Sequence, residues 1–550
     1  MKYIKIELSG KYQEIGSRTM SLGRRRQKNF RFDIFYSQIE WILESRSIRY
    51  VLIERQNDFS VPAFGGLEEI HSALMRLTKA GKEVYYYAPE YNLYDCVLSS
   101  SCKHRILHPL GQVSFLGMAM SSLFFKKLLD KHEVDVTVIR RDRYKSSADN
   151  LRTEKYDKYA RKQYQSLIDG AIASMKETVT GSSNGSRGLT KERLDKMIEG
   201  HIYTAPEAVK SEIVDELRTA DDLVNEWSKK KIKRKLIKTP RFRFGFIPRV
   251  AVLVFEGMIV EGSDRRNPLF GQATGDRSMI KAIRSLRKNP KIKAVIFRIN
   301  SGGGSATASE NILRELVALH EKKPLVISMG PVAGSGGYWI STTGRRLFAL
   351  PTTITGSIGV LSVYFNIAQL LQKYGISHDS IKHGDSADVG SALRKLTDKE
   401  HDTLDNIVEF LYQEFINRVA DFRKISHDKV RELGEGRVWL GKEAAEHNLV
   451  DETGGLHDAI SHIKDILKAK KIRVSFEPKQ PFIMRFLNRQ RTSANTGMGE
   501  PLNSIQGAET EFPGYGTPLE ITRACLSVHG KMLFMDPFLT QFHAGPEDPF

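Results

Sequence analysis

The sequence predicts an α/β protein built as a tandem duplication, with mostly parallel sheets flanked by helices. Three observations carry this prediction. The chain has 550 residues, which is too long for one ordinary hydrophobic core. Apolar strand-like stretches alternate with helix-like segments of roughly 10 to 15 residues, the pattern of β-α units. The second half of the chain also repeats the first.

The repeat keeps a constant register over a long stretch. In three pairs of identical residues the two members lie 242 positions apart: Pro89 and Pro331, Pro109 and Pro351, and Gly117 and Gly359. The two halves also end alike, since residues 200–215 resemble residues 436–451. We therefore expect two homologous domains.

The repeat suggests where the domains begin and end. Residues 1–227 and 248–465 form the two repeats, and a basic joint at 228–247 connects them. The pattern weakens beyond the second repeat, so residues 466–550 are interpreted as a partly flexible C-terminal extension. Its apolar segment 531–538 leaves three roles open: packing on the domains, joining an oligomer, or contacting substrate.

The chain is basic, with 84 Lys and Arg against 65 Asp and Glu, a net charge of +19. Such an excess can reflect binding to nucleic acid, binding to anionic lipid, or no specific partner. No nucleic-acid recognition motif accompanies it, and the basic residues are scattered apart from the joint. We expect no nucleic-acid partner. The joint is interpreted as a solvated linker or edge strand, with peripheral contact to an anionic membrane as the alternative.

The cysteines and the N-terminus bear on compartment. Cys96, Cys102 and Cys525 lack metal-ligand or paired-framework spacing, so neither a metal site nor a disulfide scaffold is expected. Residues 1–10 alternate like a strand and lack a signal-peptide h-region. The longest largely apolar stretch, 113–125, falls short of the roughly 20 residues that cross a bilayer. The expectation is a cytoplasmic or peripheral-membrane protein.

Ser335 is the first candidate catalytic residue. It lies between Gly334 and Gly336, just before a helix-like stretch, and no histidine lies near it in sequence. Glycine neighbours and a following helix N-terminus can bring its oxygen to the mouth of a pocket. The 242-residue spacing places Leu93 opposite this serine, so the first repeat has no nucleophile.

One lysine of the first repeat has no counterpart in the second repeat. Lys145, in the segment 144–149, aligns with Ala387 in the second repeat. One half therefore offers a serine and the other a lysine, which suggests a single site completed across the two domains.

Several segments together resemble one known family. They are Asn300–Ser305, the Ser335 turn, Leu350–Pro351 with Thr355–Val360, Tyr144–Ser147, and the paired Gly-x-Val/Ile-Trp/Tyr endings. In these segments, and over about residues 1–465, the chain resembles the double-length bacterial signal peptide peptidase A family, also called protease IV, whose fold is ClpP/crotonase-like. The resemblance implies a serine endopeptidase without a cofactor. It also implies a bowl-shaped homo-oligomer, a tetramer, that hydrolyses cleaved signal peptides or similar apolar peptides at the membrane.

The resemblance also implies roles for individual residues. Ser335 would be the nucleophile and Lys145 the general base, because an uncharged amine can take the hydroxyl proton without histidine or aspartate. Ser357 would orient the amine, and the N–H groups of Gly303 and Gly336 would form the oxyanion hole. Gly302 stands where the family usually has proline, so this loop is expected to be more flexible.

Three other functions compete with this interpretation. A ClpP-like Ser-His-Asp peptidase would carry its histidine where residues 355–359 have none. A crotonase-type acyl-CoA enzyme would share the oxyanion hole but would not need a serine and a lysine divided between repeats. A non-catalytic membrane-associated scaffold is disfavoured by the presence of both residues in their motifs.

Overall fold

A computed structural model describes residues 1–16, 29–182, 189–236, 247–267, 271–478 and 531–535. In the first half the strands are β1 Lys2–Leu8, β2 Tyr12–Gln13, β3 Phe30–Arg31, β4 Ile48–Arg55, β5 Glu83–Ala88, β6 His104–Leu107, β7 Gln112–Phe115, β8 Asp135–Arg140, β9 His201–Thr204, β10 Glu216–Leu217 and β11 Lys233–Arg234. The helices are α1 Phe32–Glu44, α2 Gly65–Lys79, α3 Leu93–Ser100, α4 Lys126–Lys131, α5 Asp149–Arg152, α6 Lys158–Gly181, α7 Lys191–Ile198, α8 Ala205–Lys210 and α9 Ala220–Lys229.

The second half follows the same alternation. Its strands are β12 Arg249–Glu256, β13 Met258–Val260, β14 Arg265–Asn267, β15 Gly271–Gly275, β16 Ile292–Ser301, β17 Gly303–Ser305, β18 Leu325–Gly334, β19 Leu347–Ala349, β20 Ile354–Gly356, β21 Leu361–Asn366, β22 Val438–Leu440, β23 Glu452–Thr453, β24 Arg473–Glu477 and β25 Lys531–Met535. Its helices are α10 Asp276–Lys288, α11 Ala306–His320, α12 Gly336–Ser341, α13 Ala368–Lys373, α14 Asp398–Arg423, α15 His427–Leu433, α16 Gly441–Glu446 and α17 Leu456–Ile466.

Each half contains a parallel sheet. In the first half the strand order is β10-β6-β5-β4-β1-β11, and every pair is parallel. In the second half the order is β22-β20-β18-β16-β12-β24, where only the β20–β22 pair of this path is antiparallel. Every residue of β18 is buried, as expected for a parallel strand covered on both faces. The predicted α/β class is confirmed.

The two halves share a hydrophobic core. Val250 and Val252 of β12 pack in a cluster made mainly of first-half residues, whereas Ala251 and Leu253 pack in the core of the second half. Because successive side chains of a strand point to opposite faces, the second-half sheet lies between the first half and its own helices. The halves are therefore packed against each other over a sheet face.

Charged groups are also buried where the halves meet. Arg298 of β16 is fully buried, and its guanidinium donates to Glu14 at 2.9 Å and Glu69 at 2.7 Å, both from the first half. Nearby, the Glu68 carboxylate accepts from the Ser174 hydroxyl at 2.8 Å and from the Thr352 N–H at 3.1 Å. Burial raises the pKa of Glu68 to about 7.

A third sheet combines strands from both halves in the order β14-β15-β13-β17-β25-β21-β8. Strand β8 belongs to the first half, yet it pairs antiparallel with β21 along its whole length, from Asp135 opposite Asn366 to Arg140 opposite Leu361. This pairing fixes the segment that follows β8 beside the second half.

The segments outside the two predicted repeats also contribute strands. Strand β11 lies within the basic joint and pairs with β1, while residues 237–246 of the joint lie outside the described residues. Strand β24 lies beyond residue 465 and pairs with β12, whereas 479–530 and 536–550 of the extension are not described. Within the described ranges, no helix combines the length and apolar character needed to span a membrane.

Candidate active site

Ser335 occupies the sharp turn between β18 and α12. Its backbone has φ 55° and ψ −121°, an unusual conformation for a residue with a side chain, and its N–H donates to the Gly356 carbonyl at 2.8 Å. The side chain is fully buried. Gly337 allows α12 to start here, because a Cβ at this position would lie 2.5 Å from the Ser301 carbonyl oxygen. The turn is a strained strand-to-helix connection that holds one hydroxyl in a buried position.

Lys145 reaches this hydroxyl from the other half of the chain. It follows β8, and the antiparallel pairing of β8 with β21 carries it to the Ser335 turn. Its Nζ lies 2.8 Å from Ser335 Oγ, although 190 residues separate the two. The lysine side chain is only 1% exposed. The amine is therefore held in contact with the hydroxyl and away from bulk water.

Ser357 provides two further contacts to the same amine. Lys145 Nζ lies 2.9 Å from Ser357 Oγ and 3.1 Å from its carbonyl oxygen. Ser357 follows β20 with φ 51°, and its N–H donates to the Arg437 carbonyl at 2.7 Å. The structure thus brings together the three side chains that the sequence singled out.

The lysine backbone sits against a glycine that the sequence analysis did not connect with it. Gly436 has φ 71°, and a Cβ there would lie 2.7 Å from the Lys145 nitrogen and 2.9 Å from its Cα. On the opposite flank, Arg140 Nη1 donates to the Lys145 carbonyl at 2.8 Å. Gly436 belongs to the paired ending of the repeat, but no atom of the described residues lies within 4 Å of a Cβ built on its counterpart Gly200. The repeat therefore predicted a turn at Gly436 but not its contact with Lys145.

Gly303 and Gly336, the two predicted oxyanion-hole glycines, lie on segments next to the Ser335 turn. Gly303 begins β17 with φ 107°, and its N–H donates to Ser301 Oγ at 3.1 Å. The Ser301 hydroxyl in turn donates to the Gly257 carbonyl at 2.7 Å. Gly336 begins α12, and a Cβ there would lie 3.3 Å from the Gly304 nitrogen. Both predicted glycines therefore lie beside the Ser335 turn, with the Gly303 N–H engaged by a neighbouring hydroxyl.

The cysteines take no part in this arrangement. Cys96 and Cys102 are buried free thiols of the first half, and burial raises the pKa of each to about 12, so they remain protonated. Cys525 lies outside the described residues. Across the ranges that the structure describes, no group of three or more His, Cys, Asp or Glu is arranged to hold a metal ion.

Comparisons with known proteins agree with the internal repeat. The model of peptidase family S49 matches twice, over residues 76–233 and 317–470. "Protease 4" of Salmonella typhi is 30% identical over 492 residues, which is 86% of this chain and 78% of the relative. "Serine protease SPPA, chloroplastic" of Arabidopsis thaliana is 27% identical over 84% of this chain and 68% of its own.

Among solved structures, ClpP1 from Listeria monocytogenes covers 38% of this chain and 92% of its own, with 15% sequence identity and a TM-score of 0.23. The two family matches, one in each half, together with a parallel sheet in each half, confirm the predicted tandem duplication. The resemblance stated from the sequence motifs is likewise confirmed by relatives that align with most of the chain. The chain belongs to peptidase family S49.

Proposed function

We propose that the protein is a serine endopeptidase in which Ser335 is the nucleophile and Lys145 the general base. The observation that carries this proposal is the 2.8 Å separation between Lys145 Nζ and Ser335 Oγ inside a buried site. A serine hydroxyl is a weak nucleophile until a base within hydrogen-bond reach takes its proton. The amine is the basic group in contact with this hydroxyl.

Three oxygen atoms surround the amine: Ser335 Oγ, Ser357 Oγ and the Ser357 carbonyl. A neutral amine has two N–H donors and one lone pair. Donation to the two Ser357 oxygens leaves the lone pair to accept the Ser335 hydroxyl proton. Ser357 is accordingly proposed as the residue that orients the base.

The oxyanion formed on attack needs preorganised donors, and we assign the N–H groups of Gly303 and Gly336 to this role. Gly336 N–H stands at the start of α12, directly after the nucleophile. The Gly303 N–H donates to Ser301 Oγ in this structure, so it must be shared or released when a tetrahedral intermediate forms. Gly302, in place of the family's usual proline, permits the loop to adjust.

The proposed substrates are cleaved signal peptides or similar apolar peptides at or near a membrane. Support comes from the family of the chain and from relatives named as proteases. A buried nucleophile reached between two domains favours extended peptide over folded protein. The proposal thus includes a preference for apolar peptides and a location at the membrane periphery.

We also propose that the active form is a homo-oligomer, a tetramer by resemblance. Strands β8 and β21 pair within one chain, but their counterparts in the repeat, residues 377–382 and 119–124, carry no strand among the described residues. Both segments expose apolar side chains, including Ile381 at 101% and Leu123 at 61%. The pairing that joins the halves can therefore be repeated between one chain and the next. Native mass spectrometry would read out the copy number.

Hydrolysis of an apolar fluorogenic peptide tests the catalytic proposal. Ser335→Ala and Lys145→Ala are each expected to lower kcat/KM by about 10³-fold or more, because members of a catalytic unit are individually indispensable. Lys155→Ala, at an exposed lysine of the same half, is the matched control. Full activity in either active-site variant would overturn the assignment.

A further inference from the structure

Strand β25, formed by Lys531–Met535, lies between β17 and β21 and is antiparallel to both. At the edge away from β25, β17 pairs with β13 and β21 pairs with β8. Each strand thus has one edge satisfied by the body of the protein and one edge facing β25. An open strand edge pairs readily with an extended chain through main-chain hydrogen bonds.

The groove between β17 and β21, which we call the strand groove, borders the Ser335 turn. Gly304 of β17 lies against the start of α12, and β21 begins four residues after Ser357. In the strand groove, Met535 is opposite Gly303, whereas Lys531 is opposite Val363. The Met535 end of β25 is therefore the end next to the glycines that flank the serine.

We propose that residues 531–535 are an internal ligand of the strand groove, where they compete with peptide substrate for the same main-chain edges. The inference that the groove is occupied rests on strand pairing, and the inference of competition rests on the proposed peptidase function. An extended peptide that adds to β17 must displace β25, because each strand edge pairs with one partner at a time.

Competition by a segment of the same chain is measurable through KM. Strand β25 belongs to the same chain as the groove, so its binding is intramolecular and a free peptide must overcome its effective concentration. The apparent KM of a free substrate then equals its intrinsic KM divided by the fraction of molecules in which the groove is open. Removing the pairing ability of β25 should lower KM while leaving the chemical step intact.

A disulfide across the strand groove tests occupancy independently of activity. Val363 and Lys531 are register partners, and cross-strand Cα atoms lie within disulfide range. The test protein is the full-length double variant Val363→Cys/Lys531→Cys. It also carries Cys525→Ser, which removes the thiol near Lys531 in sequence. Mild oxidation should form an intramolecular disulfide, which peptide mapping identifies. The control is Val363→Cys/Met532→Cys, since neighbouring strand positions point to opposite faces.

Activity of the same protein separates the two parts of the inference. The oxidised form should cleave a fluorogenic peptide at least tenfold more slowly than the reduced form, and reduction should restore the rate. Absence of the disulfide, or a disulfide between two chains, would overturn occupancy by the chain's own segment. An oxidised form as active as the reduced one would overturn competition. Inactivity in both states would instead count against the proposed function, while the mapped disulfide would still establish the strand.

A second full-length variant removes the pairing without a cross-link. Met532→Pro/Phe534→Pro deletes two N–H donors from β25, and proline is excluded from a strand paired on both sides. We expect KM to fall threefold or more with kcat within twofold of the unmodified chain. Ser504→Pro, outside the strand, is the control. An unchanged KM in the double variant would overturn competition between β25 and the substrate.

Discussion

Lys145 and Ser335 come from different halves of the chain, and their side chains meet at 2.8 Å because β8 of the first half pairs with β21 of the second. The contact is buried, so bulk water does not compete for either group. The proposed catalytic contact therefore depends on interdomain packing, since any change that separates the halves also separates the amine from the hydroxyl.

Ser357→Ala should lower kcat without abolishing it. The substitution removes the hydroxyl contact to the Lys145 amine but keeps the carbonyl contact at 3.1 Å, so the base is less firmly oriented. Loss of one positioning hydrogen bond is expected to cost about 10- to 100-fold in kcat. Steady-state kinetics with a fluorogenic peptide measure it, with exposed Ser380→Ala as the control. A variant with unaltered kcat would exclude the orienting role.

Gly436→Ala should impair activity far more than Gly200→Ala. Both glycines have positive φ and end equivalent repeats, so alanine strains the backbone at each. At Gly436 the new methyl group would meet Lys145 at 2.7 Å, whereas no atom of the described residues lies within 4 Å of the methyl position at Gly200. We expect a loss of at least about tenfold in kcat/KM for Gly436→Ala alone. Equal losses in the two variants would attribute the effect to backbone strain.

Arg298→Met should weaken the packing between the halves. The substitution leaves the carboxylates of Glu14 and Glu69 buried without their shared cation. Removing one partner of a buried ion pair costs about 3 to 5 kcal/mol. A lower urea midpoint, followed by tryptophan fluorescence, is the expected result. Arg284→Met, which breaks an exposed pair with Glu315, should change the midpoint little. Similar shifts in both variants would contradict the prediction.

Glu68→Gln should stabilise the protein increasingly as pH rises. Burial raises the folded-state pKa of Glu68 to about 7, above its ordinary value of 4.5, so the folded state holds a proton that the unfolded state releases. The wild-type protein therefore loses stability between about pH 4.5 and pH 7, and the loss is complete above pH 7. The shift corresponds to a gain of about 3 kcal/mol for the glutamine variant at high pH.

Urea unfolding at a series of pH values measures how the free energy of unfolding changes with pH. The stability difference between Glu68→Gln and the unmodified chain should be near its minimum at pH 4 and level off above pH 7. Exposed Glu199→Gln provides the control. A difference that does not vary with pH would mean that the Glu68 carboxyl ionises alike in the folded and unfolded states.

Much of the architecture was predictable because it is written in local patterns. Alternating strand-like and helix-like segments predicted parallel sheets, and the 242-residue spacing predicted the duplication; α4 and α13 keep that spacing at both ends. The same spacing paired Ser335 with Leu93 and Lys145 with Ala387, which indicated a site divided between the repeats. Composition and spacing are enough for such predictions because repeated segments bury equivalent faces.

Contacts between residues distant in sequence were decided by the tertiary structure. The pairing of β8 with β21, the packing of Gly436 against Lys145, and the engagement of the Gly303 N–H by Ser301 leave no periodic signal in the chain. Strand β25 is the clearest case, since the sequence left three roles open for residues 531–538. Strand pairing is chosen by which main-chain edges remain open in the folded protein, and that becomes defined only when both halves have packed. The sequence thus determined the repeated fold and its candidate residues, whereas long-range strand pairing decided how they meet.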